Sequence, residues 1–402
     1  MKPERLIVIS PLYVPDHYDK ELLLIEELKR RNYTVSHLIF CDSLTKEGFP
    51  NLCFPDNAID VLPKLSKNDC ICIKSYKQLF QEIKKGNMII VGIAKHLTFF
   101  YEYANTLPSF KLQLDDALYA DVCYYGSDFV AIAEPFRKQY FRKRIDLEST
   151  QTRITGHLQV DRVHHENVKA MSRIEFCKIH NLDPNKNIVV YCPENAANSA
   201  FPIISHLYSE TCRIIDSCDN CELIIKPHPR DFLKYKSDKF FNGKSTFEVL
   251  YPNAKICKPG LGYQCFNNCD LGVSTQSSVA IEFPMFKKPF IFVEPEKSPY
   301  FHNFQSSDKR SMVDFVGFIC KLDELKDILI SENFKNIPLE KYDHHCQEYF
   351  ANTDGLVHIK IANWIEEILS NPFCKKNRPI RRLFLRLKYF YIKLKVKIKG
   401  SL

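Results

Sequence analysis

Glycine and tryptophan are scarce in this sequence, with 12 Gly and one Trp among 402 residues. This scarcity excludes collagen-like and low-complexity proteins. The start also lacks a secretory signal, because MKPERLIVIS passes directly from charged residues into an apolar strand pattern. We therefore expect a cytoplasmic protein. An apolar content of 45%, with 30 Phe and 20 Tyr, indicates a packed globular chain that is long enough for two domains.

The chain holds 16 cysteines but lacks the regular spacing of a four-ligand zinc site. Two close pairs, Cys218 with Cys221 and Cys265 with Cys269, are compatible with a zinc or redox pair. Other cysteines stand singly inside apolar runs, as Cys192 does, where a thiol behaves as a small hydrophobe. We therefore expect free thiols in a reducing compartment and no bound metal.

Acidic residues are missing from the end of the chain. Residues 375–402 carry eleven Lys and Arg, and subtracting these from the net charge of +8 leaves −3 for the rest. Apolar residues interleave with the cations at helical spacing as far as Tyr391, yet no run reaches the roughly 20 apolar residues of a membrane span. We predict an amphipathic tail on an anionic membrane surface, in preference to nucleic acid binding or a solvated helix packed on the body.

Short apolar runs alternate with helical patterns along the chain. Strands are predicted at 6–9, 35–41, 71–73, 88–93, 121–125, 153–156, 187–192, 223–225, 255–258, 270–275 and 290–293. Helices are predicted at 21–31, 76–85, 112–120, 130–141, 163–180, 205–218, 263–268 and 355–369. This alternation is typical of doubly wound α/β domains, in which ligands bind at the carboxyl ends of parallel strands.

A boundary near residue 165 divides the chain into two α/β halves. We predict an N-terminal domain over 1–165, a second domain over 166–350, a helix within 351–374 and the tail over 375–402.

His96 follows the apolar run 88–93 and is therefore expected at the carboxyl end of a strand. Its ordinary pKa range suits a general base, and the alternative is a loop histidine that hydrogen-bonds locally.

The segment Lys226-Pro-His228-Pro-Arg230 follows the predicted strand 223–225. The two prolines fix the backbone and keep a helix from starting there. Two cations beside an imidazole at a strand end suit a pyrophosphate, which we favour over a rigid surface turn with solvated charges.

The segment from Cys269 to Glu296 is predicted as a strand, a serine-rich turn, a short helix and a second buried strand. Thr275, Ser277 and Ser278 stand where that helix would begin, and free N–H groups at a helix start attract anions. Glu282 follows Ser278 by four residues, so it is predicted on the same helical face, placed to accept hydrogen bonds from ribose hydroxyls. The alternative is a well-capped helix without a ligand.

These motifs resemble, in their order, those of the CDP-glycerol glycerophosphotransferases, which build teichoic-acid-like polymers. The motifs lie within residues 88–296 and are GHLQVDR, CPEN, KPHP and STQSSVAIEF with KKPFIFV. The sequence departs from the family pattern in three of its parts. Leu97 replaces the glycine after the histidine, His157-Leu158-Gln159 replaces aromatic-Pro-Arg, and Gln276 replaces a tyrosine.

The resemblance implies a GT-B fold, with two Rossmann-like domains facing a central cleft, and a nucleotide-activated donor without a further cofactor. Glu282 would bind the ribose, and His96 would deprotonate the acceptor hydroxyl. His228 and Arg230 would lie near the donor phosphates, as would Ser277 and Ser278. We expect His228 to be catalytic together with His96, and Lys226 and Thr275 to be further phosphate-binding residues.

The expected function is transfer of a glycosyl or polyol-phosphate group to a surface polysaccharide or lipid-linked acceptor at the inner membrane face. One alternative is a CMP-sugar-dependent capsule glycosyltransferase of the sialyl type. In those enzymes an acidic pair precedes glycine, whereas Asp115-Asp116 precedes Ala117 here. Because adjacent residues on a helix face different directions, we interpret that pair as a solvated helix face. A UDP-sugar 2-epimerase and a non-catalytic membrane-associated protein are further alternatives.

Overall fold

The computed structural model describes fifteen stretches of the chain. They are residues 4–10, 21–40, 70–73, 76–91, 110–114, 128–133, 152–167, 171–193, 202–227, 254–258, 261–275, 277–297, 318–338, 340 and 351–370. His96, His228 and Arg230 lie outside these described residues, as do the pair Asp115-Asp116 and the tail 375–402.

Seven parallel strands form the N-terminal sheet, in the order β3-β2-β1-β4-β5-β6-β7. They are β1 (Arg5–Ser10), β2 (Thr34–Phe40), β3 (Ile71–Ile73), β4 (Met88–Val91), β5 (Phe110–Leu114), β6 (Phe129–Ile132) and β7 (Thr152–Ile154). β1 is a continuous apolar run whose residues Leu6 to Ile9 are fully buried, as expected for a strand covered on both faces. The order of the strands reverses direction between β1 and β4, which is where doubly wound sheets bind ligands.

Six parallel strands form the C-terminal sheet, in the order β10-β9-β8-β11-β12-β13. They are β8 (Asn187–Tyr191), β9 (Cys221–Ile225), β10 (Lys255–Ile256), β11 (Leu271–Ser274), β12 (Phe290–Val293) and β13 (Phe318–Cys320). Here the order reverses between β8 and β11. The two sheets confirm the doubly wound α/β architecture that the alternating pattern predicts.

Helices lie between the strands. The described α-helices are α1 (Leu22–Arg30), α2 (Tyr76–Ile83), α3 (Leu158–Asn167), α4 (Arg173–His180), α5 (Pro202–Asp216), α6 (Gly262–Asn268), α7 (Leu325–Ile330) and α8 (Val357–Ser370). Short 3-10 helices cover Ser278–Ile281, Phe283–Phe286, Pro295–Lys297 and Asn333–Asn336. Within these described stretches, no helix has both the length and the apolarity to cross a membrane.

Three predicted helices were wrong at the residues that the structure describes. Residues 112–114 belong to strand β5, because the sequence FKLQL alternates apolar and polar residues with the period of a strand. Residues 130–132 belong to β6, a strand of four residues that are all buried. The helix predicted over 163–180 is two helices, α3 and α4, and α4 has its own start at Ser172, whose hydroxyl accepts from the N–H of Glu175 at 3.3 Å.

The last helix, α8, returns to the N-terminal domain. Trp364 packs edge-on against Phe129 with ring centroids 5.9 Å apart, and the guanidinium of Arg153 lies 5.1 Å from the Trp364 ring. Ion pairs join Arg31 to Glu366 at 2.8 Å and Arg153 to Glu367 at 2.8 Å. The helix that follows the C-terminal sheet therefore completes the core of the N-terminal domain. The predicted boundary near residue 165 stays a prediction, since α3 contributes side chains to both cores.

Candidate functional site

A serine side chain links the two strands at the reversal point of the C-terminal sheet. β8 and β11 are neighbours there, and the hydroxyl of Ser274 at the end of β11 donates to the carbonyl oxygen of Cys192 at 2.6 Å. The Cys192 N–H in turn donates to the carbonyl of Val273 at 2.9 Å. The carboxyl ends of the two strands are thus fixed to each other, and the residues that follow them start from a rigid edge.

Lys226 is a buried cation at this edge. It directly follows β9 and is only 8% exposed, and its N–H donates to the carbonyl of Tyr191 at 2.9 Å. Its Nζ lies 5.6 Å from the centroid of the Phe266 ring, which belongs to α6. A lysine held at the end of a parallel strand, against an aromatic face, is suited to bind an anion that arrives at the reversal point.

Thr275 follows Ser274 and is 1% exposed. Its Oγ1 finds no hydrogen-bond partner among the residues that the structure describes. Ser277 is half-buried, and its carbonyl accepts from the N–H of Ala280 at 3.1 Å, which starts the turn. Hydroxyl-bearing residues therefore follow β11 immediately, as the sequence predicts, and β8 separates this strand from β9, which Lys226 follows.

The segment after Ser277 is not the single α-helix that the sequence predicts. Two four-residue 3-10 helices take its place, and Glu282 lies at the junction between them with φ −83° and ψ −27°. Pro284 has no N–H to donate to Ala280, so an α-helix cannot continue through this point. In a 3-10 helix, residues three apart share a face, so the prediction that Glu282 lies one α-turn behind Ser278 is wrong.

The charges of Lys226 and Glu282 both act on one buried thiol, Cys192. Burial raises the pKa of Cys192, while the charge of Lys226 lowers that pKa and the charge of Glu282 raises it. Both charges are therefore close enough to the end of β8 to be felt there. Lys226 follows β9, whereas Thr275, Ser277 and Glu282 follow β11 on the other side of β8. His96, His228 and Arg230 belong to the undescribed residues.

The ten cysteines whose side chains the structure describes are free thiols, and nine of them are buried. Burial is the first cause that raises the pKa of Cys218 and of Cys221, so neither is an activated thiol. No group of three His, Cys, Asp or Glu side chains suited to a metal ion occurs within the described part of the chain. These cysteines serve the core, as the apolar runs around them predict.

A second buried polar cluster joins the end of β1, the middle of β2 and the residue before α1. Ser10, Glu21 and His37 are 0%, 2% and 3% exposed. The Ser10 hydroxyl donates to Glu21 Oε2 at 3.2 Å, and His37 Nε2 lies 2.9 Å from the Ser10 oxygen. Burial lowers the pKa of His37 to about 4, so the ring is neutral at pH 7 and Nε2–H donates to Ser10. The sequence offered no signal for this cluster, since its members come from three separate segments.

The model of a protein family matches residues 116–367, which is more than half of the chain. The chain belongs to the CDP-glycerol:poly(glycerophosphate) glycerophosphotransferase family. The resemblance drawn from the motif order is therefore confirmed. Within this glycerophosphotransferase family match lie α3, the whole C-terminal sheet and most of α8.

Solved structures of other proteins share the fold. The wall teichoic acid polymerase TagF is 13% identical, with 91% of this chain and 90% of that chain covered and a TM-score of 0.57. S. aureus MnaA with UDP is 11% identical, with 91% and 97% covered and a TM-score of 0.59. A UDP-N-acetylglucosamine 2-epimerase is 10% identical, with 92% and 97% covered and a TM-score of 0.53. No curated protein sequence matches this glycerophosphotransferase family member. Its fold is GT-B, and it is a transferase of that type.

Proposed function

We propose that this protein transfers a polyol phosphate from a CDP-activated donor to a hydroxyl group of a surface polysaccharide or its lipid-linked precursor. The observation that carries the proposal is the buried Lys226, whose N–H is bonded to the end of β8, the strand that pairs on its other side with β11 and so with the start of the hydroxyl-bearing turn. The family description, which names CDP-glycerol and glycerophosphate transfer, supports the donor and the transferred group.

The donor's phosphates are proposed to bind the cations and hydroxyls of the C-terminal domain. Lys226 supplies a charge that is already desolvated, so its attraction for a pyrophosphate is stronger than that of an exposed lysine. The remaining phosphate contacts are assigned to His228, Arg230, Thr275, Ser277 and Ser278, and the ribose contact to Glu282. The half-buried carboxylate of Glu282, close to the end of β8, supports that last assignment.

The transfer is a single displacement at the phosphorus that carries the polyol. The acceptor hydroxyl oxygen forms a bond to this phosphorus while the bond to the bridging oxygen breaks, and CMP leaves with the electron pair. His96, which comes five residues after β4 in the sequence, is proposed to take the hydroxyl proton. Cations around the bridging oxygen stabilise the negative charge of the leaving group. No cofactor beyond the donor is proposed.

The basic tail over 375–402 is proposed to hold the enzyme at the inner face of the cell membrane. The tail follows α8, which ends at Ser370 on the N-terminal domain. Eleven cations with interleaved apolar residues, each cation contributing about 1 kcal/mol near an anionic surface, support this location. A vesicle sedimentation assay with 30% anionic lipid tests it, since removal of residues 375–402 should abolish binding while leaving donor binding intact.

Nucleotide binding tests the donor assignment first. A thermal-shift panel with CDP, CMP, UDP, GDP and ADP should show the largest stabilisation with CDP, about 2.7 kcal/mol at a hundredfold excess over the dissociation constant. Lys226→Met should weaken CDP binding about tenfold or more, because a charge-assisted contact is lost. Lys255→Met is the matched control, since Lys255 pairs with Glu222 on neighbouring strands of the same sheet. Unchanged CDP binding by Lys226→Met would refute the site.

The likeness to a UDP-N-acetylglucosamine 2-epimerase favours one second candidate function. An epimerase would be stabilised by UDP rather than by CDP and would convert a UDP-sugar without any acceptor. Stabilisation by CMP alone would instead favour a CMP-sugar donor. CMP release from CDP-glycerol that depends on an added polyol acceptor separates the proposed transferase from both.

A further inference from the structure

The helix α3 is where the chain passes from the N-terminal to the C-terminal domain. Leu158, its first residue, belongs to the N-terminal core, whereas Val160 and Val163 belong to the core of the C-terminal domain. The chain passes back before α8, whose residues from Val357 to Leu369 pack in the N-terminal core. The first crossing between the domains therefore lies within α3, and the second crossing, which leads into α8, contacts α3.

Asp161 on α3 fixes these two passages to each other. Its side chain is fully buried, and its carboxylate accepts from the N–H of Val357 at 2.9 Å and from the N–H of His358 at 2.5 Å. It also contacts Nδ1 of His358 at 2.6 Å. Because α8 has 14 residues, its first N–H groups carry the positive end of a full helix dipole, which a carboxylate stabilises. Asp161 thus fixes the start of α8, and α3 connects the cores of the two domains.

Arg162, the next residue on α3, reaches into the C-terminal domain. It is 6% exposed, and its guanidinium lies 4.5 Å from the centroid of the Tyr263 ring on α6. A buried arginine over an aromatic face is a strong, oriented contact. It fixes the first turn of α6 relative to α3.

The first turn of α6 in turn supports Lys226. Gly262 approaches it so closely that a Cβ there would lie 3.0 Å from Lys226 Cε. One turn further along α6, the ring of Phe266 faces the Lys226 ammonium at 5.6 Å. A continuous line of contacts therefore runs from the passage between the domains, through Arg162 and Tyr263, to the lysine of the candidate donor site.

We propose that Arg162 is a positioning residue of the transferase, which sets the place of Lys226 through its contact with Tyr263. The inference rests on the proposed function, in that Lys226 binds the donor phosphates. Arg162 itself touches α6 rather than the donor. Its contribution to donor binding should therefore disappear when Lys226 is removed.

The test is a double-mutant cycle read out by the dissociation constant for CDP. Arg162→Met keeps the length of the side chain and removes the charged, planar guanidinium. It should weaken CDP binding about tenfold, which corresponds to the free energy of a buried cation–aromatic contact. Tyr263→Leu removes the ring and should cause a similar loss of CDP binding. The test can therefore be made with either variant if the other fails to fold. In the Lys226→Met background, Arg162→Met should cause no further loss, because its effect acts through Lys226.

Arg173→Met is the matched control. Arg173 pairs with Asp270 at 2.7 Å and binds the carbonyl of Lys186, at the amino ends of β8 and β11 and so at the edge opposite Lys226. Its loss should lower the melting temperature and leave CDP binding unchanged, which separates positioning from general destabilisation. Wild-type CDP binding by folded Arg162→Met, with weak binding by Lys226→Met, overturns the inference and leaves the proposed function standing. Wild-type binding by Lys226→Met overturns both.

Discussion

Gly272→Ala should destabilise the C-terminal domain more than a single methyl group normally does. Gly272 lies in the middle of β11, where a Cβ would come within 2.4 Å of Phe283 Cε1, 2.5 Å of Phe283 Cζ and 2.5 Å of Phe290 Cδ2. Ordinary van der Waals contact of a Cβ begins at 3.4 Å, so three overlaps of about 1 Å are created. Phe283 is the first residue of the second 3-10 helix after the serines of the candidate site. The strain therefore acts on the segment that follows these serines.

Neighbouring side chains prevent the rings of Phe283 and Phe290 from moving away from the new methyl group. Phe283 and Phe290 are both fully buried, their centroids are 4.8 Å apart, and Phe266 packs on the other side of Phe283, also at 4.8 Å. Overpacking of a closed core costs about 1–3 kcal/mol for ordinary substitutions, and three simultaneous overlaps set the expectation at about 3 kcal/mol. For a domain of this size that loss lowers the melting temperature by about 6–12 °C.

Differential scanning calorimetry of two glycine variants tests this reasoning. Gly262→Ala is the matched control, because its methyl group meets only the flexible end of Lys226, at 3.0 Å. Gly262→Ala should keep the melting temperature within about 2 °C and instead weaken CDP binding. In the Gly272→Ala background, Phe283→Leu should restore part of the lost stability, since it vacates the space that the methyl group needs. Equal melting temperatures for Gly272→Ala and wild type would refute the packing argument.

Three further predictions concern the described contacts. His37 has a pKa of about 4 in the folded protein against 6.5 in the unfolded chain, so the unfolded chain binds more protons between these values. Stability should therefore fall by about 3 kcal/mol as the pH falls from 6.5 to 4, and denaturant titrations of His37→Gln should lack this part of the slope. Trp364→Ala should lower the free energy of unfolding by about 3–5 kcal/mol in chemical denaturation and loosen α8, because the side chain is 3% exposed. Removal of residues 375–402, as a comparison, should leave this free energy unchanged. Asp270→Ala should lower the free energy of unfolding by about 2 kcal/mol, because Arg173 and the N–H of Ile188 lose their charged partner; a thermal melt unchanged from wild type would contradict the ion pair's role.

The strands of both sheets were predictable from the sequence because parallel strands are covered on both faces. Leu6 to Ile9 and Phe290 to Val293 are apolar at every position, and both runs are strands with buried residues throughout. The predictions failed where a strand is short and a helical pattern overlaps it, as at 112–114. The 3-10 turns around Glu282 were also missed, although Pro284 could have signalled that an α-helix stops there.

Of the candidate site, the sequence predicted which residue types follow each strand but not which of them meet. Lys226 and Thr275 were expected at strand ends, and both lie there. Arg162 stands inside the quoted motif GHLQVDR, yet its contact with Tyr263 depends on how α3 and α6 pack. A pattern along the chain carries no information about a neighbour that is 101 residues away.

The sequence by itself determined the doubly wound α/β class, the family and the residue types at the strand ends, because local periodicity and motif order are written in consecutive residues. Tertiary structure alone decided the contacts between distant segments. Ser274 meets Cys192 across 82 residues, and Asp161 meets His358 across 197. Such contacts form only when the order of the strands and the return of α8 bring separate segments together, since burial of the whole core, rather than any local preference, fixes those positions.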